Sequence, residues 1–197
     1  MKKLILLMGL LVLMLTVHTA WAEEIYSLDA AHSNIGFKVR HLGISDVKGK
    51  FDKFDGNIVF SGDQLKSLEG TIDVNSINTA EPKRDGHLKS DDFFSADKFP
   101  AMKFKSTKIT QNGNNISVVG DLTIRDVTKI VLLSGEWRGF ADMEMNGMSV
   151  HKTGLALETD INRKDFSLAF NMFNGAGQAI VADKIFMTIE LEGNLQN

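Results

Sequence analysis

The chain has no cysteine. That absence excludes disulfides, thiol nucleophiles, thiolate metal sites and lipid attachment to an N-terminal cysteine. Proline is nearly missing: Pro82 and Pro100 are the only two in 197 residues, and no linker divides the sequence. No long basic run occurs, and a formal net charge of −3 gives no electrostatic footprint for nucleic acid. Beyond the first 22 residues no apolar run is long enough to span a bilayer as a helix. What is present, 43% hydrophobic and 24% charged residues, matches a globular protein. Any chemistry falls to carboxylates, five histidines, hydroxyls or an internal cavity.

The first residues read Met1, Lys2, Lys3, then an apolar run over residues 4–17, then Ala20-Trp21-Ala22. A basic start, a short apolar core and small residues before a cleavage point predict a secretory signal peptide, residues 1–22. The apolar run is 14 residues, short of the roughly 18 that a retained membrane helix needs. Cleavage leaves residues 23–197 as one soluble, periplasmic domain, and losing Lys2 and Lys3 moves the net charge from −3 to −5. A domain of that size buries an adequate core without disulfide staples.

Period-two alternation dominates this domain. Over residues 33–39, Ile35, Phe37 and Val39 share one face while Asn34 and Lys38 share the other, the pattern of a half-buried strand. It returns in Phe54, Ile58 and Phe60; in Leu68, Ile72 and Val74; in Met102 and Phe104; and in Ile116, Val118, Leu122 and Ile124. Three more runs follow: Val131 and Leu133 toward Trp137; Leu155, Leu157 and Ile161; and Ile185, Met187, Ile189 and Leu191. About eight antiparallel strands result, with Asn112-Gly113 marking one hairpin. A sheet that size closes or stacks, and an eight-stranded barrel either fills its interior with side chains or holds one small elongated ligand. A two-sheet sandwich is the alternative. Residues 84–94 break the alternation and predict a short helix over one end, with Asp85 as its cap.

Met143, Met145, Met148 and His151 offer soft ligands for copper. With Asn146-Gly147 as a two-residue turn, however, Met145 faces Met148 and Met143 faces Val150 on one side. Asp142, Glu144, Ser149 and His151 share the other, so His151 points away from the thioethers and the methionines read as apolar lining.

The order of several short motifs carries a family resemblance from about Tyr26 to Gly193. They are His32-Ser33 with Ile35, Phe37, Val39, His41 and Leu42; Ser76-Ile77-Asn78-Thr79; Arg84-Asp85 with His87-Leu88; and Asp92-Phe93-Phe94. Phe99-Pro100, Gly120-Asp121-Leu122-Thr123-Ile124, Val127-Thr128-Lys129 and Ile161-Asn162-Arg163 with Asp165-Phe166 complete the set. The chain resembles the YceI-like family of periplasmic polyisoprenoid-binding proteins. The resemblance implies an all-β fold, an elongated eight-stranded, lipocalin-like antiparallel β-barrel with a short helix near one end. It also implies an interior that binds an isoprenoid or similar long-chain amphipathic lipid, such as a polyprenyl phosphate or an isoprenoid quinone. No catalytic residue, metal or cofactor is implied, transient exchange with a membrane is expected, and a homodimer stays open. Asp126 and Ser167 stand where the family usually has glycine, and Ile130 replaces a common proline.

Alternation and resemblance together nominate an apolar tunnel of Ile35, Phe37, Val39, Phe54, Ile58, Ile72, Val74, Phe104, Val118, Leu122, Met143, Met145 and Phe166. Arg84 and His87, one helical turn apart, are candidates for the lipid head group, with Arg40 and His41 from the first strand. The opposing reading is that Arg84 pairs with a neighbouring carboxylate and His87 packs the helix. An enzyme is the competing class: Asp29, His32 and Ser33 hold the atoms of a hydrolase triad. Residues so close on a strand rarely converge, no Gly-x-Ser-x-Gly elbow occurs, and the histidines lack a short metal-ligand spacing. A protein-interaction module using an open strand edge is the third class.

Overall fold

In the computed structural model, residues 21–145 and 147–196 are described. Residues 1–20 of the expected signal peptide, Asn146 and the side chain of Met145 lie outside them. The alternating runs form eleven strand segments: β1 (Glu23–Leu28), β2 (Asn34–His41), β3 (Ser45–Phe51), β4 (Phe54–Ser61), β5 (Gln64–Asp73), β6 (Ile77–Asn78), β7 (Ala101–Asn112), β8 (Asn115–Ile124), β9 (Val127–Met145), β10 (Met148–Asn162) and β11 (Val181–Leu195). Three pairs of segments are single bent strands. β1 and β2 both lie along the same edge of β11, with Tyr26 opposite Leu195 and Ile35 opposite Ile189. β4 pairs with β1 while β3 pairs with β2, and β5 and β6 follow the same division. Counted this way the sheet has eight antiparallel walls and closes where β1 meets β11.

The strand segments that periodicity passes over are β1, β3 and the two-residue β6. In β3 only Val47, Gly49 and Phe51 turn inward, and the residues between them are polar or charged, so the apolar signal is thin. Two-residue turns join several walls. Gly113 (φ 57°) and Asn114 separate Asn112 from Asn115, so the expected hairpin exists with its turn one residue later. Arg125 (φ 57°) and Asp126 join β8 to β9, and the left-handed residue there is Arg125, not Asp126. Ser167 (φ 59°) takes a left-handed conformation, which accounts for glycine as the usual occupant of that position.

The two barrel ends are closed differently. At one, Tyr26, Phe60, Trp137 and Phe140 pack ring against ring with centroids 5.0–6.1 Å apart. Trp137 is buried there and its indole N–H donates to Thr153 Oγ1 at 3.0 Å, so burial leaves no orphan donor. At the other end the walls diverge beyond Asp73 and Ala101, since β6 pairs only with β3. The chain between them fills the gap with helix α1 (Pro82–Lys89) and the turns that follow it. Pro82 opens the helix, where its missing N–H costs nothing, and Glu81 rather than Asp85 is the N-cap, accepting from Lys83 N–H. Asp85 instead accepts from the Thr79 N–H at 2.9 Å and hydroxyl at 2.5 Å, tying the helix to β6.

Candidate functional site

The inward rows of the barrel contain side chains of mixed size, and the smallest decide where space remains. Gly56 and Gly70 face each other across β4 and β5, between the inward pairs Phe54–Ile72 and Ile58–Leu68. No side chain fills that position. Beside it lies an apolar cavity of about 70 Å³ lined by Ile35, Gly70, Ile72, Phe104, Leu122 and Met187, among others. A second apolar cavity of about 80 Å³ lies toward the helix end, lined by Phe37, Val39, Phe51 and Met187 and roofed by Leu88, Phe93 and Phe94. Met187 touches both, so the two cavities follow one another along the barrel. Glycines also seat the aromatic walls: a Cβ built on Gly49 would overlap the Phe37 ring, and one on Gly120 would overlap Phe104.

The nominated tunnel residues do not share one environment. Ile35, Phe37, Val39, Ile72, Phe104 and Leu122 line the cavities. Ile58, Val74 and Val118 are buried in solid packing and touch neither, as does partly buried Phe54. Phe166 is buried in the turn after β10, away from both cavities. Met143 is a correction: it is 43% exposed and does not line the tunnel. The facing arithmetic holds, with Met143 opposite Val150 and Asp142 opposite His151. The error was one of length, because β9 and β10 run past β8 and β11 as a two-stranded ribbon with no opposite wall. Met145 pairs with Met148 through its backbone.

The nominated head-group residues do not converge. Arg40 lies on the outer face in an ion pair with Asp46 (2.9 Å), and His41 ends β2 opposite Ser45. Arg84 donates from Nε to Thr79 Oγ1 at 2.7 Å and from its terminal nitrogen to Thr79 O at 2.8 Å. His87 meets Asp92 at 2.8 Å and stands edge-on to Phe93 and Phe170. Arg84 and His87 therefore hold the helical roof over the cavity. Arg125 holds it from the opposite side, donating to Phe93 O at 3.1 Å and Ser167 O at 2.8 Å.

Arg163, named in the sequence only as part of a family motif and not as a site residue, lines the helix-end cavity and is only 2% exposed. Its guanidinium donates to the carbonyls of Leu168, Phe170, Val181 and Ala182 and to the Asp183 carboxylate. Burial pulls its pKa below the usual arginine value, against the opposing pull of Asp183. With its five N–H groups engaged it organises the loop after β10 and has none left for a ligand. A lone arginine beside alternating apolar residues carries no periodic signal.

Asp29 and His32 do meet, contrary to the expectation from strand alternation, because the chain bends between β1 and β2. Asp29 Oδ2 lies 2.9 Å from His32 Nδ1, and Lys152 joins them through Asp29 (3.3 Å) and Glu192 (2.5 Å). Ser33 turns elsewhere, its hydroxyl exchanging hydrogen bonds with the Glu192 backbone. The hydrogen bond from His32, followed by those from Asn194 and Lys152, holds the Asp29 carboxyl well below the ordinary carboxylate range. The cluster has a base and an acid but no nucleophile in line with them, and the Lys152 ammonium stands among the atoms a cation would need.

Three wider depressions of about 550, 520 and 560 Å³ lie on the outer surface. They are open to water and rimmed by charged side chains such as Lys129, Lys48 and Arg138, so they shelter no apolar chain. The sheltered apolar space is inside the barrel.

Comparison with known proteins agrees with this geometry. The model of the YceI-like domain family matches residues 26–193. A UPF0312 protein of Shewanella denitrificans is 35% identical, covering 96% of this chain and 98% of the relative. The UPF0312 protein SA2479 of Staphylococcus aureus is 37% identical over 74% of this chain and 83% of the relative. Among solved structures, the Campylobacter jejuni YCEI protein is 36% identical with a TM-score of 0.69, covering 87% of this chain and 98% of that one. A polyisoprenoid binding domain from Saccharophagus degradans shares the fold at 17% identity, TM-score 0.61 and the same coverage.

Proposed function

Because the chain belongs to the YceI-like domain family, we propose that its barrel is a periplasmic carrier for a long apolar lipid of the polyisoprenoid type, a polyprenyl phosphate or an isoprenoid quinone. The observation that carries this reading is the in-line pair of apolar cavities, one roofed by a separate helical segment. The fold neighbour described as a polyisoprenoid binding domain supports the same ligand class. Each cavity is smaller than the roughly 150 Å³ that accommodates benzene in an engineered apolar site. A chain of several isoprene units therefore enters only as the cavities join past Met187 and the roof of Leu88, Phe93 and Phe94 gives way. Each buried methylene stabilises the complex against water by about 0.8 kcal/mol, while against a bilayer the gain nearly cancels. Such a protein moves lipid across an aqueous gap and exchanges it with membranes. Catalysis has no place in this reading. The Lys2-Lys3 start and Ala20-Trp21-Ala22 supply the export signal, and the protein recovered from its host should begin at Glu23 in the soluble periplasmic fraction.

The test is a titration of delipidated protein with isoprenoids of graded length. Affinity should rise with each added unit and then level off when the barrel is full. Val39→Trp, which places a large ring in the helix-end cavity, should weaken binding of long chains at least tenfold in a protein that still melts cooperatively. Absence of isoprenoid binding by the parent protein, or affinity independent of chain length, would reject the carrier reading.

A further inference from the structure

Residues 169–180 contain no charged side chain, and neither do residues 42–44 in the turn between β2 and β3. The structure joins the two stretches into one tip. Leu42 N–H donates to Ile180 O at 2.8 Å, and Ile180 N–H donates to Met172 O at 2.8 Å. Phe173 pairs with Ala179 within the second stretch. On this tip Ile44 is 81%, Phe173 57% and Met172 52% exposed. These are large apolar groups standing together in water at a barrel end, and they need an explanation that scattered surface residues do not.

The tip is continuous with the cavity. Leu168 and Val181 flank the uncharged stretch on either side, and both line the helix-end cavity, as does Val39 just before the turn. Of the charges flanking the two stretches, Arg40 pairs with Asp46 at 2.9 Å and Asp183 with Lys164 at 2.8 Å and Arg163 at 2.9 Å, while Asp165 lies four residues before the second stretch. We propose that this tip is a membrane-docking surface, inserting Ile44, Met172 and Phe173 at the boundary between lipid head groups and acyl chains. Uncharged backbone turns carrying aromatic, Met and Ile side chains enter that boundary without stripping water from an ion. A bilayer is the occupant that also explains the position, because the same end leads to a channel for a long apolar chain. This inference rests on the lipid-carrier reading and adds the surface through which ligand is exchanged.

Docking through an uncharged tip predicts little dependence on lipid charge or salt. Attraction through the outer wall, where Lys38 and Lys48 stand directly opposite one another, predicts strong dependence on both. The experiment is flotation of the purified protein with phosphatidylcholine vesicles, with and without added phosphatidylglycerol, at low and high salt. Wild type should float with both kinds of vesicle and at both salt concentrations. Ile44→Asp and Phe173→Asp should each lower the bound fraction at least tenfold, with Met172→Ser as a milder variant. Melting temperatures should be unchanged, since these side chains pack against little. Vesicle-to-vesicle transfer of an isoprenoid should slow by a similar factor, while binding of a short isoprenoid in solution stays as in wild type. Failure of wild type to float, or binding only to anionic vesicles that salt abolishes, overturns the proposal. So does a dimer in light scattering that Phe173→Asp disperses, since the tip would then belong to a second copy. Flotation retained in a protein that binds no isoprenoid removes the carrier reading and leaves the docking surface. Isoprenoid binding without flotation removes the docking surface alone.

Discussion

Gly49 and Gly120 determine where two aromatic rings of the cavity wall can lie. Phe37 rests over the first and Phe104 over the second, so a methyl group at either glycine must push a ring into the channel. Gly49→Ala should destabilise the fold by about 1–3 kcal/mol through overpacking and should lower affinity for long isoprenoids. A melt and a titration on the same variant check both effects, and unchanged values would mean that Phe37 has another place to go. Val118→Trp makes a useful contrast. Val118 is fully buried and touches no cavity, so the larger ring should cost more stability than Val39→Trp does. Much of this was readable in advance, because Ile35, Phe37, Val39, Ile72, Phe104 and Leu122 stand at alternating positions. The same alternation could not separate cavity from packing at Ile58 or Val118. A glycine in an inward row that lines a cavity, as Gly70 does, is a signal where apolar counting sees only a gap.

At the level of elements, the bend between β1 and β2 is where the sequence pattern and the fold part company. Alternation keeps Asp29, His32 and Ser33 from converging, yet residues 29–32 turn between β1 and β2, with the Asp29 N–H donating to Glu192 O. The side chains of Asp29, His32, Lys152 and Glu192 then lock the bend to β10 and β11. The Asp29 carboxyl is held below its unfolded value of roughly 3.9, so its contribution to stability is fully present above that pH. The contribution is lost as pH falls from about 4 toward the lower folded value. Lys152 is shifted the other way, upward through Glu192 first and Asp29 second, and its contribution persists until the solution becomes strongly alkaline. Urea midpoints measured from neutral pH down through the acid range should therefore fall less steeply in Asp29→Asn than in the parent protein. Equal slopes would show that the cluster does not stabilise the bend. The ribbon of β9 and β10 teaches a related lesson, since pairing across Asn146-Gly147 was legible and the projection of Met143 into solvent was not. Hairpin register is local, whereas the place where neighbouring strands stop depends on the other walls.

Closure is a property of the whole molecule. Eight walls pair around the barrel, aromatic rings fill one end, and a helical segment held by Arg84, Asp85 and Arg125 roofs the other. On the carrier reading proposed above, the asymmetry gives the joined cavities a direction: ligand enters beneath the roof and its tail advances toward Tyr26, Phe60 and Trp137. Alternation pointed to a large antiparallel sheet that closes or stacks, and the family resemblance implied the closed barrel. The direction depended on contacts far apart in sequence. The measurement that tests it most directly is photo-crosslinking with two isoprenoid probes, one carrying a diazirine at the tail and one beside the head group. The head-group probe should label the segment containing Leu88 and Phe94, and the tail probe should label residues deeper in the barrel around Ile72, Phe104 and Leu122. Labelling of the outer wall around Ile130, Leu132 and Phe186 by either probe, with the interior unlabelled, would contradict an internal channel.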